Sequence, residues 1–544
     1  MYSPETWVKP LLARGPESME IKDLSSCTMG FTRLAINGLN EGGMQPFTKG
    51  QIHWMCNGEI YNWKSIIDEN DLAPTVSGSD CEVLGDLYTL FQDNLSSFFR
   101  ALDGVFSIVI VDKARGRVVV GRDPYGVRPL YTGVKNLYTS QVEGIIKIEV
   151  SHIVFGSELK SLLPFCESVV PFPPGSFQIW DIASKKMVYT DRYHSPPWLT
   201  NPLYTSVNPC GLDMACMSLR FALEQAVQKR MMMERPVAAL LSGGIDSSLI
   251  ASLVNKTLLA AGKPPLKTFS IGMNGSSDLK YAKKVADWIG SDHTEICLTA
   301  DDFFKAIPNV IHDIETYDTT TVRASVGNWL VSKKIREVSD CKVVFNGDGS
   351  DEVFGSYLYF YQAPNNRAFE EEVTRLLTDI HLFDVQRSDR CISSHGLEPR
   401  TPFLDKQFVA VARSIATEWR RPIKGQQVEK WILRRAFDDG VTLPHDVLWR
   451  RKEAFSDGVS SQEKSWYEEI QERVAVFIDS DRLERAYLHY PHLPPKTAEQ
   501  YYYRYTYELN FGKVAATSCT PYFWMPKWSP GVTDPSARAL AVYT

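Results

Sequence analysis

The stretch 235–252, RPVAALLSGGIDSSLIAS, constrains this chain more than any other. Residues 237–241 are a short run of small and apolar side chains, with the character of a buried parallel strand. The run ends in Ser242-Gly243-Gly244, and an apolar helical pattern begins after Asp246-Ser247-Ser248. A strand, a glycine-rich turn and a helix N-terminus in that order make an anion site. The glycines let backbone N–H groups approach a negative ligand, and the helix dipole favours its charge. Serine hydroxyls add donors, and Asp246 is placed to hold a metal counter-ion. No lysine follows the glycines, so this is not the GxxxxGK[ST] loop. A tight strand-to-helix turn with a serine cap would account for a lone SGG; the whole SGGxDSS string points to phosphate or pyrophosphate.

A chain of 544 residues is too long for one core and predicts two or three domains. A net charge of −6 gives no reason to expect nucleic acid or an anionic membrane as partner. The ten cysteines form no CxxC pair, which argues against a zinc knot or disulfide framework and fits a reducing cytosol. No apolar run approaches a membrane span, and the opening MYSPETWVKPLLARGPES has no signal-peptide core. The expectation is a soluble cytoplasmic protein.

Residues 1–200 read as many short strands (51–56, 105–111, 117–120, 152–155, 176–180) with helical pattern at 80–92 and 157–163, an α+β layered domain. Its loops carry ARGPES, FTRLAINGLNEGGMQPF, CNGEIYNW, SGSDCE and GRDPYGVRPLY. Singly, each is unremarkable: Asn57-Gly58 could be a hairpin turn, Arg33 a surface cation and Asp80 a helix cap. Together and in this order they resemble the class II glutamine amidotransferase domain, an N-terminal-nucleophile αββα sandwich. That resemblance implies that Arg33 clamps the glutamine carboxylate, Asp80 and Glu59 hold its amino group, and Asn57 and Gly58 form an oxyanion hole. A bidentate guanidinium suits a carboxylate, and fixed N–H donors suit a developing oxyanion. The family begins Met-Cys, whereas residue 2 here is Tyr and the arginine-glycine-proline string arrives early, at Arg14. The family's first strand and its catalytic cysteine are expected to be absent, leaving Cys27 and Cys56 without the α-amine the mechanism needs.

Residues 195–212, rich in Pro, Ser, Thr and Asn, read as the domain boundary, between a domain at 1–200 and another at 205–544. After a helix at 213–233 the pattern alternates: strands at 265–271, 294–298 and 342–346, helices at 278–289 and 325–338. Such alternation predicts a doubly wound parallel sheet with ligands at the carboxyl ends of its strands. Polar clusters fall at those ends: FSIGMNGSSDLKYA, IETYDTTTVRAS, FNGDGSDEVFGSYLYF, GLEPRTPFLDKQF and WRRKEAFSDGV. Glycines beside acids after Asn346 suggest Mg²⁺-nucleotide contact.

The SGGxDSS loop resembles that of the ATP pyrophosphatases. With LLSGGIDSS, FSIGM, ETYDTTTVRAS, GDGSDEVFGSYLYFYQAP, GLEPRTPFLD and WRRKEAFSDG in order, the chain resembles glutamine-dependent asparagine synthetase from Arg14 to near its end. The resemblance implies a nucleotide α-hydrolase-type sheet with added helices, and amidation of aspartate through β-aspartyl-AMP with ATP and Mg²⁺. Leu241, Ile271 and Gly347 would line the ATP site, with Asn346 beside them. Ser242, Gly243, Gly244, Asp246, Ser247 and Ser248 would bind pyrophosphate, and Asp246 and Asp351 would hold Mg²⁺. Thr320, Thr321 and Arg323 would position aspartate, and Lys452 would neutralise phosphate charge. The family's SGEGSDE reads NGDGSDE here, so Asp348 stands where the family has Glu, a carboxylate that would receive a proton from ammonia or order the acyl-adenylate. Free ammonia is the expected nitrogen donor, with glutamine binding left open, as is a homodimer. Two alternatives stand beside this reading: a β-lactam-synthetase-like amide former, and a weakened regulatory relative.

Overall fold

The computed structural model describes residues 3–142, 145–201, 211–453, 458–460, 464–529, 531–532 and 534–536, and the side chains of all of these except 136–142 and 145–149. Met1-Tyr2, half of the expected linker (202–210), residues 454–457 and the tail beyond 536 lie outside the described residues. The chain forms two compact units. The first is Met1–Ser195 with Met232–Glu234 and Glu508–Pro521, and the second is Pro196–Met231 with Arg235–Tyr507 and Tyr522–Thr544.

In the first unit a six-stranded antiparallel sheet runs in the order Lys186–Asp191, Phe177–Asp181, Arg117–Arg122, Gly104–Asp112, Ile52–Ile60, Phe47–Lys49. Side chains alternate along its central strand. Phe106, Ile108 and Ile110 join Leu84, Leu87, Tyr88, Phe98 and Phe99 of the helices Leu84–Phe91 and Leu95–Ala101. Val109 turns to the opposite face, with Val120, Leu130 and Phe172, where Phe155 of a second, three-stranded sheet packs. That period of two makes each face a buried layer, and each fully buried Phe or Ile contributes roughly 1.5–3 kcal/mol. The layered α+β sandwich is present. The strand expected at 51–56 continues to Ile60, so Asn57 and Gly58 pair with Ser107 and Phe106 instead of turning a hairpin. Gly58 holds φ 148, and a Cβ there would lie 2.0 Å from the Val105 carbonyl oxygen, so only glycine fits.

The second unit is built on a five-stranded parallel sheet ordered Asp292–Cys297, Lys267–Gly272, Val237–Leu240, Val343–Phe345, Glu398–Arg400. Burial along Lys267–Gly272 and Val343–Phe345 is nearly continuous, as expected of strands covered on both faces. Chain order across the sheet reverses between Val237–Leu240 and Val343–Phe345. The loops leaving these two strands therefore diverge and open a crevice, the usual ligand site of such sheets. The helix expected at 325–338 begins at Thr319 instead. Asp318 caps it, its Oδ2 accepting from the Thr321 N–H (2.9 Å) and hydroxyl (2.8 Å). The run of β-branched threonines disfavours a helix start on propensity alone; the buried cap outweighs it.

Candidate active site

The crevice is lined by Leu241, Ser242, Gly244, Asp246 and Ser247 from one loop, Ile271 from the neighbouring strand, and Asn346, Gly347, Asp348 and Asp351 from the other loop, with Lys452 opposite. Gly243 carries φ +71, and a Cβ there would lie 2.4 Å from Tyr281 Cβ, so the turn packs hard on the next helix. Ser242 Oγ accepts the Gly244 N–H (3.3 Å) and lies 3.0 Å from Ser247 Oγ, which donates to the Gly244 carbonyl (3.3 Å). These bonds curl the loop around the N-terminus of the helix Ile245–Ala260. A Cβ at Gly347 would lie 2.7 Å from the Ser247 nitrogen, so the second loop presses against the same helix end. Gly243 and Ser248 are outside the lining; Ser248 is fully buried behind the loop.

Four charges meet at the mouth of this loop. Lys430 Nζ lies 2.5 Å from Asp246 Oδ2 and 2.6 Å from Asp351 Oδ1, and Lys452 Nζ lies 2.6 Å from Asp351 Oδ2. Ser350 donates to Asp246 Oδ1 (2.8 Å) and Ser356 to Asp351. Burial alone would raise the Asp351 pKa, but Lys430 and then Lys452 outweigh it and hold the carboxyl well below the usual range. Burial likewise pulls Lys452 down, and Asp351 and Asp246 more than offset it, so this ammonium stays charged. Two hard carboxylate oxygens converge on one cation position, which fits Mg²⁺, an ion bound by one or two carboxylates plus substrate phosphates. Among the described residues no group of three or more His, Cys, Asp or Glu could hold a metal by itself, in keeping with a site completed by phosphate. Lys430 was not singled out in the sequence; QQVEKW carries no motif.

A second carboxylate cluster borders the cavity. Asp348 Oδ1 accepts from Arg387 (2.9 Å), which also binds Asp384, while Asp348 Oδ2 has no hydrogen-bond partner. Burial raises the Asp348 pKa; Arg387 opposes this and Asp384 adds to it. Asp348 Oδ2 is thus a buried acceptor without a hydrogen-bond partner at the edge of the cavity. With one methylene fewer than Glu, it stands short of the position a Glu would reach. Asp348→Glu is expected to raise turnover by about tenfold or more, since a 1 Å misplacement can cost about a hundredfold. An unchanged rate in a steady-state assay counts against this.

Asp278 lines the cavity as well, held by Arg450 at 3.2 Å. Burial pushes its pKa from 3.8 up to about 7, with Arg450 opposing. The folded chain thus keeps a proton that the unfolded chain releases. The stability this contributes is full below the unfolded pKa near 3.8 and lost as pH rises through about 7. Urea midpoints measured across that window should fall with pH in the native protein. Asp278→Asn should flatten this fall.

The structure separates Thr320, Thr321 and Arg323 from the cavity lining. They occupy the first turns of the helix Thr319–Val338, and the guanidinium of Arg323 is taken up by Glu499 (2.7 Å) and Asp534 (2.9 and 2.6 Å). The same helix carries Asn328 and Val331 into the cavity. The helix expected from 325 thus takes in 320–323 as its first turns, capped by Asp318, with Arg323 paired to the C-terminal segment.

Comparison with known proteins bears on the whole constellation. An asparagine synthase family model matches residues 218–374 and 364–504, and a glutamine amidotransferase domain model matches 5–174. Asparagine synthetase [glutamine-hydrolyzing] of Gallus gallus is 40% identical over 97% of this chain and 94% of its own length. The human protein of that name is likewise 40% identical, over the same shares, and the Cricetulus griseus one 39%. The chain belongs to the asparagine synthetase family.

As in that family's two-domain plan, the first unit gathers the residues expected to bind glutamine. Arg33 donates to the carbonyls of Gly38 (2.5 Å) and Asn40 (2.7 Å), fixing the 38–40 loop. Glu59 accepts from Asn37 (2.7 Å), Asp80 from the Ile60 N–H (2.6 Å), and Asn57 donates to Ser157 (3.1 Å). A Cβ on Gly38 would lie 2.5 Å from the Ser79 nitrogen, so the Arg33 loop packs directly on the segment bearing Asp80. Arg33, Asn57, Gly58, Glu59 and Asp80 therefore form one cluster around the end of a single strand. Among the described residues no helix of this asparagine synthetase family member is long and apolar enough to cross a membrane.

Proposed function

We propose that this chain cleaves ATP to AMP and pyrophosphate to activate the side-chain carboxylate of aspartate, and that ammonia then displaces AMP to give asparagine. The observation that carries this reading is the Asp246–Lys430–Asp351–Lys452 centre at the mouth of the SGG loop. Loop N–H groups and Lys452 stabilise negative charge as it collects on the leaving pyrophosphate. Leu241, Ile271 and Gly347 supply walls for the nucleoside, with Asn346 anchored to Ser388 (2.8 Å) behind them. Asp246 and Asp351 are the residues that would hold Mg²⁺, which when bound supplies Lewis-acid neutralisation of phosphate oxygens. Asp348 Oδ2 accepts the proton that the attacking ammonia sheds. Thr320, Thr321 and Arg323 support the aspartate site indirectly, by anchoring the helix whose Asn328 and Val331 reach the cavity.

Nitrogen enters as ammonia in this reading. Among the described residues of the first unit, burial raises the thiols of Cys27 and Cys166, the latter to about 11, and Cys81 is raised well above the usual range by its contact with Cys56 and by burial. None of these three is set up as a nucleophile at neutral pH.

The test is aspartate-dependent pyrophosphate release and asparagine formation, compared with ammonium or glutamine as donor and with carboxyethyl-arginine in place of aspartate. Product with aspartate and ammonium alone is expected. No aspartate-dependent pyrophosphate at saturating ammonium would sink the synthetase reading, and equal rates with glutamine would sink the ammonia reading alone.

A further inference from the structure

The cation between Asp246 and Asp351 is part of the chain itself. Lys430 bridges both carboxylates with its side chain 1% exposed. It does so from the cap of the helix Trp431–Ala436, with its own backbone left-handed at φ 55. That conformation is unfavourable for any side chain with a Cβ and persists only where the surroundings enforce it. Glu429 does the enforcing: its carboxylate takes Arg434 (2.5 Å) and the Lys452 N–H (3.2 Å), while its carbonyl takes Arg434 Nε (2.9 Å). The ammonium is therefore held rigidly where a bridging cation belongs.

With Lys452 on Asp351 as well, two carboxylates face two ammoniums and the centre is neutral. A divalent ion arriving alone would meet two positive charges at close range and low dielectric. One arriving with a triphosphate brings the negative charge that both lysines can take up. We propose that Lys430 is a built-in counter-ion that occupies the metal position of the nucleotide-free protein, bars divalent cations from Asp246 and Asp351 until ATP is present, and then shifts onto a pyrophosphate oxygen. Lys430 thereby makes the protein accept metal and nucleotide only as a pair. The inference rests on the reading of Asp246 and Asp351 as metal ligands.

The experiment titrates the full chain with Mn²⁺ without nucleotide, following bound metal by electron paramagnetic resonance and thermal unfolding in parallel. The native protein should bind no Mn²⁺ at this site and show an unmoved midpoint. Lys430→Gln should unfold at lower temperature, bind one Mn²⁺ at least about tenfold more tightly than the native protein, and regain stability as it binds. Lys430→Arg, which keeps the charge, should behave as the native protein does. Asp351→Asn added to Lys430→Gln should remove the new site. If Lys430→Gln does not fold, the native titration decides alone: nucleotide-free Mn²⁺ binding that Asp351→Asn abolishes overturns the inference. Mn²⁺ binding to the native protein only when ATP is added, and lost in Asp351→Asn, supports it. No Mn²⁺ binding with or without ATP overturns the metal-ligand reading and this inference with it.

Discussion

Lys452→Ala is expected to lower aspartate-dependent pyrophosphate release by about 10²–10³-fold, the effect of deleting one preorganised charge that meets the transition state. Lys452 Nζ is fixed 2.6 Å from Asp351 and lies 5.5 Å from the centre of the Tyr357 ring, so it needs no reorganisation when charge develops. Its loss should leave the fold intact, because Asp351 keeps Lys430 at 2.6 Å. The rate should fall mainly in kcat, with the KM for ATP changing far less, since the charge it meets is greater in the transition state than in bound ATP. A kcat within a few-fold of native, in protein whose circular dichroism and melting are unchanged, would remove Lys452 from the chemistry.

Arg323→Met is expected to destabilise the second unit by about 3–5 kcal/mol, the usual result of removing one partner from a buried ion pair. Arg323 is 3% exposed and Glu499 0%, and Asp534 completes the cluster. Burial works against the charged form of Arg323, and Glu499 and Asp534 more than compensate, which holds its pKa far above the usual value. Urea unfolding measures the loss. The conservative Arg323→Lys keeps charge but not the two-carboxylate fork, so it should lose part of the stability. The KM for aspartate separates tether from contact. In folded Arg323→Lys, a KM near native with reduced stability supports anchoring. A KM raised more than about tenfold at native stability would put Arg323 on the substrate.

Much of the site was legible because its parts are local. SGGIDSS is a contiguous strand end, turn and helix start, and the backbone geometry of such a unit is set by glycine freedom and helix polarity within a few residues. NGDGSD was legible as glycines beside acids after a strand, but the need for glycine at 347 is tertiary: the first loop's Ser247 nitrogen lies 2.7 Å from where a Cβ would be. The start of the helix that carries Thr320 and Thr321 was not legible for the opposite reason. The pattern placed the helix at 325–338, but one capping residue, Asp318, moves its start to Thr319. Asn57-Gly58, which taken singly could have been a turn, continues a strand because it pairs with Ser107 and Phe106. In both cases a tertiary or capping contact outweighed the local preference.

The sequence alone determined the two-unit plan, the parallel sheet and the anion loop; aspartate activation was implied by the resemblance of its motifs to a known family. Alternation of strand and helix, and a glycine-rich turn between the two, are properties that neighbouring residues impose on each other. Only the tertiary structure decided which charges share a volume. Lys430 is 184 residues from Asp246, Arg387 39 from Asp348, and Arg323 211 from Asp534, distances along the chain that no motif spans. Their pairing follows from burial: a charge taken out of water must find its opposite in the folded interior, whatever the separation in sequence.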